Sequence, residues 1–254
     1  MAASVIGAQL YTVRDFVRTP AEVRAALRRL REIGYEAVQV SGLGPIEPQE
    51  LADTARDAGM QIVATHIGFE QIVAEPEVVI QQHRLWGCRH VAIGGMPGEY
   101  RSAEGFLRFA REASEAVKPL IDAGLTFSYH NHSFELERFG ERTGLEILYE
   151  ESDPRRFSAE IDTYWVQHGG ANPVTWLRRL KGRMPLVHLK DMAMVEGKQV
   201  YAEVGEGNLE WEPILQACSD GGVEWYLVEQ DVCRRDPFES LAISLKNLRR
   251  LGLR

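Results

Sequence analysis

The sequence predicts an α/β protein that forms a single (β/α)8 barrel, the TIM-barrel fold, over residues 1–254. Short apolar segments alternate with longer amphipathic ones eight times, as in repeated strand–helix units that form a parallel sheet. The apolar segments start roughly thirty residues apart, the length of one such unit. An open doubly wound sheet is the alternative fold, but no Gly-x-Gly-x-x-Gly motif follows an early strand. Eight units therefore most economically close into one barrel domain.

The predicted strands are the short apolar segments, and each ends in or next to polar residues. They cover Val5–Leu10, Ala37–Val40, Gln61–Thr65, His90–Ile93, Leu125–His130, Phe157–Ile161, Pro185–Leu189 and Trp225–Val228. The first predicted helix, Ala21–Ile33, follows the cap pair Thr19-Pro20 and stops at Gly34. The other predicted helices are Pro48–Ala58, Pro76–Trp86, Ser102–Ala123, Gly144–Glu151, Pro173–Leu180, Trp211–Ser219 and Pro237–Leu251.

Composition excludes several classes of protein. The net charge is −8, which argues against a nucleic-acid-binding surface. The three cysteines are widely separated and form no CxxC pair, so we expect neither disulfides nor a thiolate metal site, in keeping with a cytoplasmic protein. Met1–Gly7 lacks the features of a signal peptide, and no apolar stretch reaches the ~20 residues that span a bilayer. We expect no membrane partner, and the sequence leaves a homo-oligomer open.

Polar side chains collect at the ends of the predicted strands, where barrels of this kind build their active sites. Five of the seven histidines lie in or beside this layer when His168 is included. Buried carboxylates and imidazoles need partners to offset desolvation, and one metal ion can serve several of them. The strand-end residues are Gln9, Gln39, Ser41, His66, Gly94, Gly95, His130, Asn131, His132, Asp162, His188, Lys190, Asp191, Glu229, Gln230 and Asp231.

The predicted ligand set is Asp162, His188 and Glu229, with Glu135 as the fourth ligand. The first three residues follow three consecutive strands, whose tips lie about 5 Å apart in a sheet. Oxygen-rich coordination with one imidazole favours one divalent metal ion, Mn²⁺, Mg²⁺, Co²⁺ or Zn²⁺.

These strand-end motifs resemble those of the sugar phosphate isomerase/epimerase family, which has a xylose isomerase-like barrel, and they occur in the family's order over essentially the whole chain. They are Tyr129-His130-Asn131-His132-Ser133-Phe134-Glu135, Asp162-Thr163-Tyr164-Trp165-Val166, Val187-His188-Leu189-Lys190-Asp191-Met192, Gly205-Glu206-Gly207 and Val228-Glu229-Gln230-Asp231.

The resemblance implies one catalytic metal bound by Glu, Asp, His and Glu, and the last three match Asp162, His188 and Glu229. The first position departs from the family pattern, because alignment through Glu135 places Tyr129 where the family has a glutamate. Either Glu135 itself reaches the metal, or His130 or His132 replaces the missing carboxylate.

The implied function is a metal-dependent isomerase or epimerase that acts on a sugar or keto-polyol through an enediolate. In this scheme Glu229 or Glu135 is the base, and His130 or His132 is a general acid. Lys190 is a cation that balances charge on the substrate oxygen and contacts the substrate. His66, His132 and Trp165 are the other expected substrate contacts.

Three alternative functions remain open. Dehydration of the inosose dehydratase type, or a keto-sugar lyase reaction, would use the same metal site. A sugar-binding barrel without catalysis would keep the fold but not the chemistry. A metal-dependent phosphodiesterase of the endonuclease type would need more ligands and a basic surface, which the acidic balance disfavours.

Overall fold

The structure is a computed structural model that describes residues 5–253 of the chain. The interpretation of the N-terminal segment falls mostly on residues 1–4, which lie outside the described residues, as does Arg254. Within the described part, no helix combines the length and apolar character needed to cross a membrane.

Eight parallel strands form a closed barrel, as the sequence predicts. Each strand pairs with its neighbours in chain order, and the first pairs with the eighth to close the sheet. The observed bounds lie within one residue of the predicted ones. The barrel strands are Val5–Gln9, Ala37–Val40, Gln61–His66, His90–Ile93, Thr126–His130, Ser158–Asp162, Leu186–Leu189 and Trp225–Val228.

Helices surround the barrel and follow the predicted pattern closely. Thr19 caps the first helix through a capping box with Glu22, and Gly34 ends that helix in the left-handed conformation. The α-helices are Pro20–Ile33, Pro48–Asp57, Phe69–Ala74, Pro76–Trp86, Ala103–Ala116, Lys118–Asp122, Gly144–Glu151, Thr163–His168, Pro173–Arg179, Trp211–Gly221 and Pro237–Arg250, and the 3₁₀ helices are Leu10–Phe16, Gly98–Tyr100 and Phe134–Leu136.

Two antiparallel hairpins lie outside the barrel, and the sequence did not indicate them. Asp191–Val195 pairs with Lys198–Ala202 directly after the seventh strand, and Arg138–Phe139 pairs with Arg142–Thr143 after the fifth. In the first hairpin the turn residues Glu196 and Gly197 both have positive φ, as a type I′ hairpin turn requires.

The inside of the barrel is apolar at one level and polar at the next. A cluster that includes Ala37, Ala64, Leu186 and Leu227 is fully buried. Side chains two positions apart on a strand share a face, so the residue two positions later points the same way. Those residues are Gln39, His66, His188 and Glu229. Strand periodicity therefore stacks the polar group directly on the apolar layer, towards the carboxyl ends of the strands.

Candidate active site

The site is a compact group of four buried side chains at the ends of four consecutive strands. One ligand-type atom from each residue lies within 4.8 Å of every other, and all four side chains are buried. The group contains three of the predicted metal ligands, Asp162, His188 and Glu229, and its fourth member is His130. The structure therefore brings three of the four predicted ligands together, and His130 stands where Glu135 was predicted.

The ammonium of Lys190 lies inside this four-residue cluster, next to the carboxylates of Asp162, Glu229 and the neighbouring Asp231. Its Nζ is 2.9 Å from Asp162 Oδ2, 2.7 Å from Glu229 Oε2 and 2.7 Å from Asp231 Oδ2. Burial works to lower the pKa of Lys190, but the three carboxylates outweigh it and raise the pKa well above its usual value. Lys190 is therefore charged, so it can donate hydrogen bonds but cannot serve as a base.

Glu229 and Asp162 are ionised in turn. Burial favours the neutral form of Glu229, yet the positive charges of Lys190 and His188 hold its pKa well below the usual range. The pKa of Asp162 is lowered in the same way, with Lys190 as the main opposing influence to burial. Glu229 can thus accept a proton at neutral pH.

Asp162 uses its two oxygens for different purposes. Oδ1 caps the short helix Thr163–His168 by accepting from the Trp165 backbone N–H at 2.9 Å. Oδ2 faces the site and lies 3.1 Å from His130 Nε2. The backbone N–H of Asp162 donates to Asn131 Oδ1 at 3.0 Å, so Asn131 ties the fifth strand to the sixth.

His188 belongs to the cluster and also contacts a buried hydrogen-bond network beneath it. Its Nδ1 is 2.9 Å from Glu229 Oε2, and its Nε2 is 2.6 Å from Gln39 Oε1 and 3.3 Å from Glu160 Oε1. Burial lowers the pKa of His188, but the carboxylates of Glu160 and Glu229 outweigh this effect and raise it to about 10. His66 also joins this network through Nε2, which lies 2.6 Å from Glu160 Oε2.

Glu135 does not belong to the cluster. Its carboxylate is fully buried, accepting from the Tyr129 hydroxyl at 2.7 Å and from the His132 backbone N–H at 2.9 Å. Tyr129 thus holds Glu135 rather than facing the cluster. The histidine that does reach the group is His130, one of the two alternatives that the sequence left open.

Two of the expected substrate contacts, His66 and His132, line a cavity at one side of the mouth. This cavity of about 420 Å³ is bounded by residues that include His66, Gly94, Arg101 and His132. His132 packs against Trp165 with ring centroids 5.2 Å apart. Burial is the main influence that lowers the pKa of His132, to about 3, so its imidazole is neutral. His132 Nδ1 and Trp165 Nε1 are buried without a hydrogen-bond partner among residues 5–253.

The donor set fits a divalent metal ion. Ligands bound at about 2.1 Å to a tetrahedral ion lie about 3.4 Å apart, so the atoms farthest apart would have to close by at most about 1.4 Å. Two imidazole nitrogens and two carboxylate oxygens suit Zn²⁺, Mn²⁺ or Co²⁺. Lys190 Nζ contacts Asp162 Oδ2 and Glu229 Oε2, so it balances part of the negative charge of the cluster.

Several residues of the site were missed by sequence reasoning. Gln9, Gln39 and Asp231 were noted only as polar strand-end residues, and Glu160 was given no role in the site. Glu160 lies two positions before Asp162 and therefore shares its face of the sixth strand, so strand periodicity could have identified it.

Comparison with known proteins decides the family. The model of the family described as xylose isomerase-like TIM barrel matches residues 27–251. The chain belongs to the xylose isomerase-like TIM barrel family. This result confirms the resemblance found in the strand-end motifs.

Curated relatives of this xylose isomerase-like barrel are named inosose dehydratase. The protein of that name from Geobacillus kaustophilus is 23% identical over 268 aligned positions, which cover 89% of this chain and 86% of the relative. The one from Geobacillus thermodenitrificans is 29% identical, over 46% of this chain and 45% of the relative.

Solved structures share the fold at low sequence identity. A sugar phosphate isomerase/epimerase from Parabacteroides distasonis superposes with a TM-score of 0.81 at 20% identity, covering 97% of this chain and 98% of that one. At this identity the likeness establishes the fold alone.

Proposed function

We propose that the protein is a metal-dependent enzyme that removes a proton beside the carbonyl of a keto sugar or keto-polyol and returns it as an isomerase or epimerase. The observation that carries this proposal is the buried group of His130, Asp162, His188 and Glu229 at the mouth of the barrel. These four residues would hold one divalent ion, with His130 in place of the expected Glu135. A bound ion would polarise the substrate carbonyl and make the neighbouring C–H more acidic.

Glu229 is the proposed base. Its carboxylate is ionised, because Lys190 and His188 depress its pKa, and it lies at the strand ends where a substrate can approach. A base within hydrogen-bond reach of the substrate takes the proton directly and can return it. His130 faces the cluster through Nε2, 3.1 Å from Asp162 Oδ2, so as a ligand it would have no proton to give there, and we assign it to the ion rather than to proton transfer.

Lys190 is the proposed stabiliser of the enediolate. It is charged and lies 2.7 Å from Glu229, so it would adjoin the substrate oxygen on which negative charge develops. A fixed cation in a water-poor site stabilises such charge without reorganising when the reaction occurs.

His66, His132 and Trp165 are the proposed substrate contacts. The unpartnered His132 Nδ1 and Trp165 Nε1 support this role, since buried polar atoms without partners destabilise a protein unless a ligand completes them. Hydroxyl groups of a polyol can donate and accept, so they suit both atoms. The Trp165 ring offers an apolar surface for the C–H face of a sugar.

Dehydration is the second candidate function, and the two contacts of Glu135 favour it. Epimerisation by two carboxylates needs a base on each side of the substrate, but Glu135 is bound to Tyr129 and His132. With Glu229 as the one proposed base, loss of a β-hydroxyl after proton removal would need no second base, since the proton taken by Glu229 can leave with that hydroxyl as water. The names of the curated relatives agree with this candidate.

Deuterium exchange tests the proposal. The protein with Mn²⁺ is incubated in D₂O with a panel of ketohexoses, ketopentoses and inososes, and the products are followed by NMR and mass spectrometry. We expect deuterium at one carbon-bound position; retention of mass apart from the label indicates isomerisation or epimerisation, and loss of water indicates dehydration. The Glu229→Gln variant should keep its fold and lose the exchange, while the exposed-site control Glu212→Gln should retain it.

A sugar-binding barrel without catalysis is the contrary outcome. Saturable binding of panel members with no label in any of them, in the presence of Mn²⁺, Mg²⁺, Co²⁺ or Zn²⁺ in turn, would establish that outcome and refute the proposed reaction.

A further inference from the structure

A chain of buried amide side chains runs beneath His188 and has a defined direction. It begins at the backbone N–H of Tyr11, which donates to Gln9 Oε1 at 3.3 Å. A backbone N–H can only donate, so the oxygen of Gln9 faces Tyr11 and its NH₂ group faces away. That NH₂ group donates to Gln39 Oε1 at 2.7 Å.

From Gln9 the hydrogen bonds continue to Gln39, which in turn contacts both Glu160 and His188. Because Gln39 Oε1 faces Gln9, its NH₂ group faces Glu160 and donates to Oε1 at 2.8 Å. The same Gln39 oxygen lies 2.6 Å from His188 Nε2. An amide oxygen only accepts, so the proton of that hydrogen bond belongs to His188 Nε2.

The other nitrogen of the imidazole is thereby assigned to the site. With Nε2 occupied by its proton, Nδ1 is the nitrogen that faces Glu229 at 2.9 Å and Asp162 at 3.8 Å. A metal-binding histidine coordinates through one nitrogen while its other N–H is held by a neighbouring acceptor, which fixes the ring. Gln9, Gln39 and Glu160 are all fully buried, so water does not compete with this arrangement.

We propose that Gln39 is a positioning residue that keeps the proton on His188 Nε2 and directs Nδ1 to the metal ion. Gln9 sets the orientation of the Gln39 amide, and Glu160 accepts a hydrogen bond from the NH₂ group of Gln39. The inference rests on the proposed metal site, and it assigns a function to polar residues on the first, second and sixth strands that lie below the ligands.

The test uses ¹¹³Cd²⁺ and Mn²⁺ alone as probes on the full chain with ¹⁵N-labelled histidine. We expect ¹¹³Cd coupling at His188 Nδ1 and a retained proton at Nε2 that exchanges slowly with solvent. Gln39→Leu should weaken Mn²⁺ affinity about 10- to 100-fold, the usual effect of losing such a partner, and speed exchange of the Nε2 proton. The exposed-site control Gln61→Leu should change neither quantity.

Gln9→Leu covers the case in which Gln39→Leu does not fold, because Gln9 is one hydrogen bond further from His188. It should weaken Mn²⁺ affinity by a smaller factor and leave a mixture of amide orientations. The proposal is overturned if folded Gln39→Leu binds Mn²⁺ like the wild type, or if cadmium coordinates His188 Nε2. It is also overturned if a second ion binds in the wild type through His66, Glu160 and His188.

A failure of the metal site itself gives a separate result. If the wild type takes up no metal, the proposed function loses its basis. The Nε2 proton of metal-free His188 still tests the network, since it should be protected in the wild type and exchange rapidly in Gln39→Leu.

Discussion

Lys190 acts at the scale of a single residue as the counter-charge of the site. Three carboxylates surround its ammonium at 2.7–2.9 Å in a fully buried position. Removing one partner from a buried ion group leaves uncompensated charge, which costs far more than a surface ion pair does. The stability of this barrel should therefore depend on a cation at this point.

We predict that Lys190→Met lowers the free energy of unfolding of the metal-free protein by about 3–5 kcal/mol, the cost of breaking a buried pair. Mn²⁺ should restore much of this loss, because it would supply the missing positive charge. Urea unfolding with EDTA or with Mn²⁺ measures both effects, and Lys198→Met, an exposed change, is the control. Equal stability of Lys190→Met and the wild type under EDTA would contradict the prediction.

Glu135 gives the second residue-scale prediction, a pH dependence. Burial raises the pKa of Glu135 to about 7, although hydrogen bonds from His132 and Tyr129 work against this rise. The folded state then binds a proton that the unfolded state releases near pH 4.5. This contribution to stability is present below that pH and is lost as the pH rises to about 7.

The Glu135→Gln variant should lack this pH dependence. The unfolding free energy of the wild type minus that of the variant should fall by about 3 kcal/mol between pH 4.5 and pH 8, from the size of the shift. Urea unfolding across this range provides the measurement. The Mn²⁺ affinity of the variant should match that of the wild type, and a large drop in affinity would instead make Glu135 a ligand.

At the scale of elements, the loop after the hairpin Asp191–Val195/Lys198–Ala202 is organised by one carboxylate. Asp191 is fully buried and accepts from the backbone N–H groups of Gly205, Gly207 and Leu209 and from Trp211 Nε1. A Cβ at Gly207 would lie 2.3 Å from Asp191 Oδ1, so this position requires glycine. The Gly205-Glu206-Gly207 motif therefore serves to hold the loop.

Asp191→Ala should release this loop while leaving the barrel folded. Each hydrogen bond to a charged acceptor contributes about 1.5–3 kcal/mol, so several lost together should make the loop open locally. Hydrogen exchange at the amides of Gly205, Gly207 and Leu209 should accelerate at least 100-fold, with the exposed change Asp220→Ala as the control. Unchanged protection at these amides would show that other contacts hold the loop.

Sequence patterns determined most elements because each has a local cause. Continuous apolar runs located the eight strands, and helices begin after capping residues such as Thr19 and Thr143. The prediction of one helix over Ser102–Ala123 was wrong: the structure has Ala103–Ala116 and Lys118–Asp122 instead. Pro119 explains the break, since it has no N–H to bond the carbonyl of Glu115.

The site was less predictable because it depends on contacts between distant strands. Strand ends identified Asp162, His188 and Glu229, whose position follows from topology alone. The choice between Glu135 and His130 depends on where a 3₁₀ turn at Phe134–Leu136 directs a side chain, and no sequence period encodes that. The short helix Thr163–His168 was missed for a similar reason, since six residues are too few for a helical pattern.

At the scale of the whole molecule, a metal ion should stabilise the entire barrel. Its four proposed ligands come from the ends of the fifth to eighth strands, so unfolding would disperse them. At a metal concentration 100 times the dissociation constant, the folded state gains about 2.7 kcal/mol. For a chain of this size we expect the melting temperature to rise by about 5–10 °C.

This stabilisation should increase with pH. A proton on His188 Nδ1 competes with the metal, and the neighbouring carboxylates raise the pKa of His188 to about 10. Calorimetry with Mn²⁺ at pH 6.5 and pH 8.5 should therefore show tighter binding and a larger thermal shift at the higher pH. An affinity independent of pH would exclude His188 as a ligand.

The two carboxylate oxygens of Asp162 have different partners, and this arrangement has an optical consequence. One of its oxygens anchors the first turn of the helix that carries Trp165, while the other faces the cluster. The indole also lies 5.5 Å from the ammonium of Lys190. Any rearrangement of charge around that carboxylate must alter the surroundings of the indole, so the protein contains its own fluorescent reporter for the binding of the proposed ion.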